Sequence, residues 1–201
     1  MAIENIRVEW NSLIQALTAA DLTTRSNAAQ QIFERGRELA RAAIEPWLAD
    51  DMLSNLFVID SASRFPEATV GLAVEPATFE RIWKASGSPH LAEVPPDQDA
   101  KEFELVFTDS VHIDILTSRQ REGSGAMARH LEKFGESIQQ VELLVKNVDH
   151  ATQILRLHFH LAPVFPQTRS GANNTRVNFF LLPAPSGKKV LIELVEAGTA
   201  A

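Results

Sequence analysis

Two stretches far apart in this chain carry one pattern. Residues 111–116 read V-H-I-D-I-L and residues 190–195 read V-L-I-E-L-V, matching position for position, with Asp114 where Glu193 stands. Branched apolar residues dominate both, and Pro183, Pro185, Ser186 and Gly187 precede the second, so each reads as a strand. A period of two places Val190, Ile192 and Leu194 on one face and Leu191, Glu193 and Val195 on the other. Each copy therefore holds one carboxylate in the middle of an apolar strand. A solvated sheet face accounts for Glu193 taken singly as well as a site does. The repetition tips the balance toward a site.

The repeat extends further. Residues 70–74 (V-G-L-A-V) and 141–145 (V-E-L-L-V) share V-x-L-x-V, which sets Thr69 opposite Gln140. Order and separation agree in the two halves, as expected of one strand-helix-strand unit used twice. If the copies face each other across a pseudo-two-fold, Thr69, Asp114, Gln140 and Glu193 converge on one cleft.

A chain of 201 residues suits one sizeable domain, or a domain with a small appendage. With 45% hydrophobic and 22% charged residues it reads as an ordinary soluble globular protein. The net charge of -7 leaves no basic excess to neutralise phosphates, so neither nucleic acid nor an anionic membrane is an expected partner. The lack of cysteine excludes disulfides, thiolate metal sites and cysteine nucleophiles. No apolar run has the length of a bilayer, and the opening M-A-I-E-N-I-R-V-E-W lacks a basic segment followed by an apolar core. A cytoplasmic location is the default expectation.

Along the chain, Ile6, Trp10, Leu13, Ile14 and Leu17 form the stripe of an amphipathic helix, and residues 21–24 (D-L-T-T) can break and cap. Two more helices are expected, one around Ala28 to Phe33 and one from Leu39 to Leu48, with Gly36 the weak point between them. Pro46 fits either a disturbed last turn or a first turn. The opening is similar to a single HEAT-type helical pair. Such a pair either recruits a partner or caps the sheet, and the cap is favoured because lone repeats need neighbours to be stable.

The first unit then reads as a strand through Val74, a helix from Pro76 with Phe79, Ile82 and Trp83 inward, a weak strand at 91–94, and a hairpin of 103–107 with 111–116. A linker helix carries Met127, Leu131 and Phe134 and ends at Gly135. The second unit repeats the plan: strand 139–146, helix 149–157, strand 161–166, a polar loop, and a hairpin of 175–182 with 189–195.

Residues 132–136 (E-K-F-G-E), 141–149 (V-E-L-L-V-K-N-V-D), the loop 169–177 (R-S-G-A-N-N-T-R-V) and 190–196 (V-L-I-E-L-V-E) together resemble the vicinal oxygen chelate superfamily. Within it the resemblance is to methylmalonyl-CoA epimerases and, more distantly, to glyoxalase I. It covers roughly 120–196, is fainter over 68–118 and is absent before that. The resemblance implies an α+β fold in which paired βαβββ modules, 68–118 and 139–196, form a cup-shaped mixed sheet. The expected domains are an N-terminal helical region, 1–64, and the chelate domain, 65–201.

The resemblance also implies metal ligands at Thr69, Asp114, Gln140 and Glu193. Epimerases of this kind usually have histidine on both first strands, where this chain has Thr69 and Gln140. That composition disfavours transition metals and leaves a hard divalent ion such as magnesium, manganese or calcium as the expected cofactor. With a metal, the chemistry is polarisation of two vicinal oxygens while Glu193 or Asp114 moves a proton, with Asp99 and Glu102 as further acidic groups of little weight. Arg169, Arg176 and His112 are candidate substrate-binding residues, while His158 and His160 read as peripheral. The expected function is a glyoxalase- or epimerase-like protein, an isomerase or lyase, that binds a small acid or thioester and forms a possible homodimer. The alternative is a metal-free module with a degenerate site, which sequesters a small molecule as bleomycin-resistance relatives do, or mediates protein interaction.

Overall fold

The computed structural model describes residues 2–120, 122–184 and 189–196, the first seven of these as backbone. The turn residues Pro185, Ser186 and Gly187 and the side chain of Ile6 lie outside the described residues. Two compact units form, Met1–Arg35 with Val70–Gln139, and Gly36–Thr69 with Gln140–Ala201. Each contains one of the repeated modules and part of the N-terminal helical stretch.

Helix α1 (Ala2–Ala16) is followed by a cap in which Asp21 Oδ2 accepts from the Thr24 amide at 2.8 Å and the Thr24 hydroxyl at 2.7 Å. The sequence leads one to expect two helices after it. Instead a single 27-residue helix, α2 (Leu22–Leu48), runs through Gly36. The reason is where that glycine lies. Gly36 is buried, in line with the buried Ala29, Phe33, Ala40, Ile44 and Trp47, so it allows close packing on the apolar stripe rather than breaking the helix. Pro46 sits inside the last turn, two residues before the helix ends.

In the first unit, strand β1 (Ala68–Ala73) leads into helix α4 (Pro76–Ala85), after the short helix α3 (Asp51–Ser54) of the second unit. Proline at its first turn suits α4, because that amide needs no partner within the helix. The expected strand at 91–94 is an extended segment tied by one bond, Ala92 N–H to the Glu102 carbonyl at 2.9 Å. Strands β2 (Ala100–Thr108) and β3 (Val111–Ser118) form the hairpin, and the sheet order here is β2-β3-β1. One sheet face, with Val70, Leu72, Phe103, Ile113 and Ile115, shares a core with Leu13, Ile14 and Leu17 of α1, Ile32 and Phe33 of α2, and Phe79 and Ile82 of α4. Phe79 and Phe103 meet edge to face at 4.9 Å. The opening helices thus cover this sheet. Helix α5 (Ala126–Phe134) packs Met127 and Leu131 on Ala73 and Leu116 of the opposite face, and ends at Gly135 with φ 69°.

The second unit contains β4 (Ser137–Leu144), α6 (Val148–His158), β5 (Arg169–Ser170), β6 (Arg176–Pro183) and β7 (Lys189–Glu196), in sheet order β4-β7-β6-β5. The β4–β7 pair is parallel and the β6–β7 and β5–β6 pairs are antiparallel, so the sheet is mixed. No strand forms at 161–166. Pro163 and Pro166 donate no ladder bond, and one contact remains, the Val164 amide to the Phe179 carbonyl at 2.7 Å. Helix α6 packs on β6 and β7 through Val148, Ala151, Ile154 and Leu155. The chain is accordingly α+β and built on paired modules, with the second strand expected in each module, at 91–94 and at 161–166, not formed. Among the described residues no helix is long and apolar enough to cross a membrane.

Candidate functional site

Strand alternation decides which side chains each module offers. In the β2–β3 hairpin, Phe103, Ile113 and Ile115 point into the core, so Glu102, Glu104, His112 and Asp114 project from the other face. Glu104 stands directly opposite Asp114, and Glu102 is diagonal to it across the ladder. Burial, and then the neighbouring Asp114 carboxylate, push Glu102 up to about 8. At neutral pH the Glu102–Asp114 pair therefore retains a proton. His112 Nδ1 is 2.7 Å from Glu104 Oε1, and this hydrogen bond raises the imidazole above its usual value. On the same side β1 carries Thr69, Gly71 and Ala73, and Ala73 lies with Leu116 under Met127 and Leu131 of α5.

Asp99 serves the loop instead. It adopts a left-handed conformation (φ 47°), and a Cβ at Gly123 or Gly125 would lie 2.9 Å from its Oδ2. Two glycines are thus required for the carboxylate to lie against the backbone.

The second module places another polar group on the face away from α6. Gln140 of β4 and Glu193 of β7 are each only 7% exposed. Gln140 Nε2 donates to Glu193 Oε2 at 2.5 Å and to Glu142 Oε1 at 3.0 Å, and Glu142 pairs directly with Glu193 in the parallel ladder. One amide therefore holds two carboxylates together. Phe179, opposite Glu193 in β6, meets Phe165 edge to face at 5.8 Å, and the Arg169 guanidinium stacks over Phe165 at 4.5 Å. Arg169 pairs with Val177, on the Glu193 side of β6, whereas Arg176 lies one residue out of phase, on the α6 side. The two arginines that bracket the loop thus serve opposite faces.

The structure unites Gln140 with Glu193 in one unit and sets Asp114 beside Glu102 in the other. Half-buried Thr69 belongs to the unit of Gln140 and Glu193, not to that of Asp114. His158 closes α6, with Nδ1 3.9 Å from Asp50 Oδ2, and His160 follows with φ 52°, so the pair does not share a strand. Glu142 escaped the sequence reading, and Glu102 was given little weight in it. Glu142 was legible in principle, because it stands two residues after Gln140 and shares its face. The importance of Glu102 came from burial, which no local pattern reports.

Metal binding is tested by the donors. Among the described residues no group of three or more His, Cys, Asp or Glu side chains is arranged to hold an ion. In the second unit the oxygens of Glu193 and Glu142 face the N–H groups of Gln140, a donor that binds carboxylates and not cations. As arranged, these residues do not fit a divalent metal.

No family model matches the chain, and neither does any curated protein. Solved structures do. A methylmalonyl-CoA epimerase from Mycobacterium tuberculosis is 29% identical with a TM-score of 0.52, covering 65% of this chain and 87% of its own. A hypothetical protein from Bacillus halodurans C-125 is 23% identical with a TM-score of 0.52, covering 66% of this chain and 94% of its own. A variant methylmalonyl-CoA epimerase from Streptomyces coelicolor, solved with 2-nitronate-propionyl-CoA, is 21% identical with a TM-score of 0.52 and covers 72% of this chain and 99% of its own. Over the matched part, the chain has the fold of these epimerases.

Proposed function

We propose that this protein binds a small acid or thioester and moves a proton next to its carbonyl, as an isomerase of epimerase type or a lyase of glyoxalase type. The Glu102–Asp114 pair is the observation that supports this reading. Two carboxyl groups whose environments hold one proton between them supply an acid and a base at the same pH. Asp114 takes the proton α to the carbonyl, and protonated Glu102 donates a hydrogen bond to the enolate oxygen that forms. In the second module, Glu193 is a further proton-accepting or substrate-facing group, and Arg169 is a partner for a substrate carboxylate.

The test is deuterium uptake at C2 of methylmalonyl-CoA in heavy water, the ligand named for one of the similar epimerase structures. Wild-type protein should catalyse exchange, and Glu102→Gln or Asp114→Asn should each slow it by about 10²- to 10⁴-fold. The rate should fall as pH rises past about 8, where Glu102 loses its proton. No exchange with this or other acyl thioesters and 2-oxo acids would leave the second reading, a metal-free binding module. The Gln140 clamp favours that reading, because it engages one oxygen of Glu193 with an N–H donor. Titration of chelator-stripped protein with magnesium or manganese bears on both: one-to-one binding that vanishes in Glu193→Ala would restore metal-assisted chemistry.

A further inference from the structure

We propose that the outer flank of helix α6 is a binding site for an organic oxyanion, a carboxylate or a phosphate ester with an apolar part. Asp149, Thr152, Arg156 and Leu157 recur at i, i+3, i+7 and i+8, one face of the helix, while Val148, Ala151, Ile154 and Leu155 face the core. That polar face, the segment through Pro166 and Thr168, and Arg176 of β6 line a cavity of about 640 Å³. This is the size of a small-molecule pocket. It lies on the opposite side of the β7–β6 sheet from Glu193. Arg176 pairs with Glu196, whose Oε2 accepts from the first amide of α6 at 2.8 Å, and Glu193 points the other way.

Three features identify the chemistry. Asp149 Oδ2 accepts from one nitrogen of Arg176 at 2.7 Å and Thr168 bridges the same two groups, so one cation is balanced and already oriented. Arg156 is exposed and pairs with no carboxylate among the described residues, which leaves one positive charge on the wall. Thr152 is only 6% exposed, and its hydroxyl has no hydrogen-bond partner among the described residues. Buried hydroxyls are nearly always paired, and in mid-helix they commonly turn back to the carbonyl four residues earlier. This one belongs to a residue that lines a cavity with an unbalanced cation. An oxyanion satisfies both groups, with the fork of Arg156 matched to its oxygens. The exposed Leu157 and Pro166 suit an attached apolar part.

Calorimetric titration of the full chain with hexanoate and with phenyl phosphate tests this, alongside Arg156→Gln and the isosteric Thr152→Val. One-to-one binding of either probe is expected, weakened about tenfold or more by each substitution and by added salt. The probe that binds shows which oxyanion the site takes. Absence of binding by both probes overturns the proposal. Binding that is unaffected by either substitution overturns it too. Circular dichroism of the variants checks that the fold persists. Because no catalytic carboxylate enters this titration, its outcome is independent of proton transfer at Asp114.

Discussion

The two modules put an acidic residue at the same place in their last strand, Asp114 in one and Glu193 in the other, and give it opposite treatment. Asp114 has a second carboxyl group as neighbour, and burial with mutual repulsion makes Glu102 keep its proton to about 8. Glu193 has Glu142 beside it in the ladder, and Gln140 donates to both, to Glu193 at 2.5 Å and to Glu142 at 3.0 Å. One arrangement stores a proton that can be moved. The other ties two carboxyl groups to one amide. Duplication of a strand pattern therefore preserves position but not chemistry, which the adjoining strand decides: β2 brings Glu102, and β4 brings Gln140.

The contrast can be broken most severely at Gln140. Gln140→Leu leaves buried Glu193 and half-buried Glu142 without their shared donor and should lower unfolding stability by about 3 kcal/mol in denaturant titrations. A loss under about 1 kcal/mol would mean that the amide is not what holds Glu193 and Glu142 together.

The next effect is the alkaline limb. A carboxyl whose folded value exceeds its ordinary 4.5 binds its proton more tightly when folded. Its contribution is complete below about 4.5 and is lost as pH rises through about 8. Glu102→Gln should abolish this decline, which is worth about 3 kcal/mol between roughly pH 5 and pH 9. Unchanged pH dependence in the variant would remove the shared proton from the comparison.

On the acid side the controlling group is again in the first unit. Burial lowers His130 to about 4, and its Nε2 lies 3.0 Å from Ser137 Oγ. Charging it favours the unfolded chain, so stability is lost as pH falls from the ordinary 6.5 through about 4. His130→Gln should recover about 2 kcal/mol of that acid loss. Hydrogen exchange at both pH extremes should then reveal opening in the first unit before the second.

The smallest effect is at His112. Its raised value means that the Glu104 pair helps below the ordinary 6.5 and is lost as pH rises through the folded value. Both side chains are partly exposed, so His112→Gln should cost less than about 1 kcal/mol.

The duplicated strand patterns, their alternation and the placement of Asp114 and Glu193 followed from residue order, because side chains on a strand alternate whatever surrounds them. Helix α5 with its glycine stop and the Asp21 cap were legible for the same local reason. Four features were not. Gly36 looked like a break and proved to be the smallest residue of a buried stripe, a distinction that depends on what packs against the helix. The strand expected at 161–166 was refused a ladder by its two prolines. Glu102 gave no local sign of its proton, since a pKa depends on desolvation and on charges brought close across the sheet. The opposed directions of Arg169 and Arg176, seven residues apart on a loop that the chain alone does not shape, likewise came from strand register. Local backbone geometry determined which residues could line a face. Only tertiary packing decided which of them lost water and which neighbour each one met.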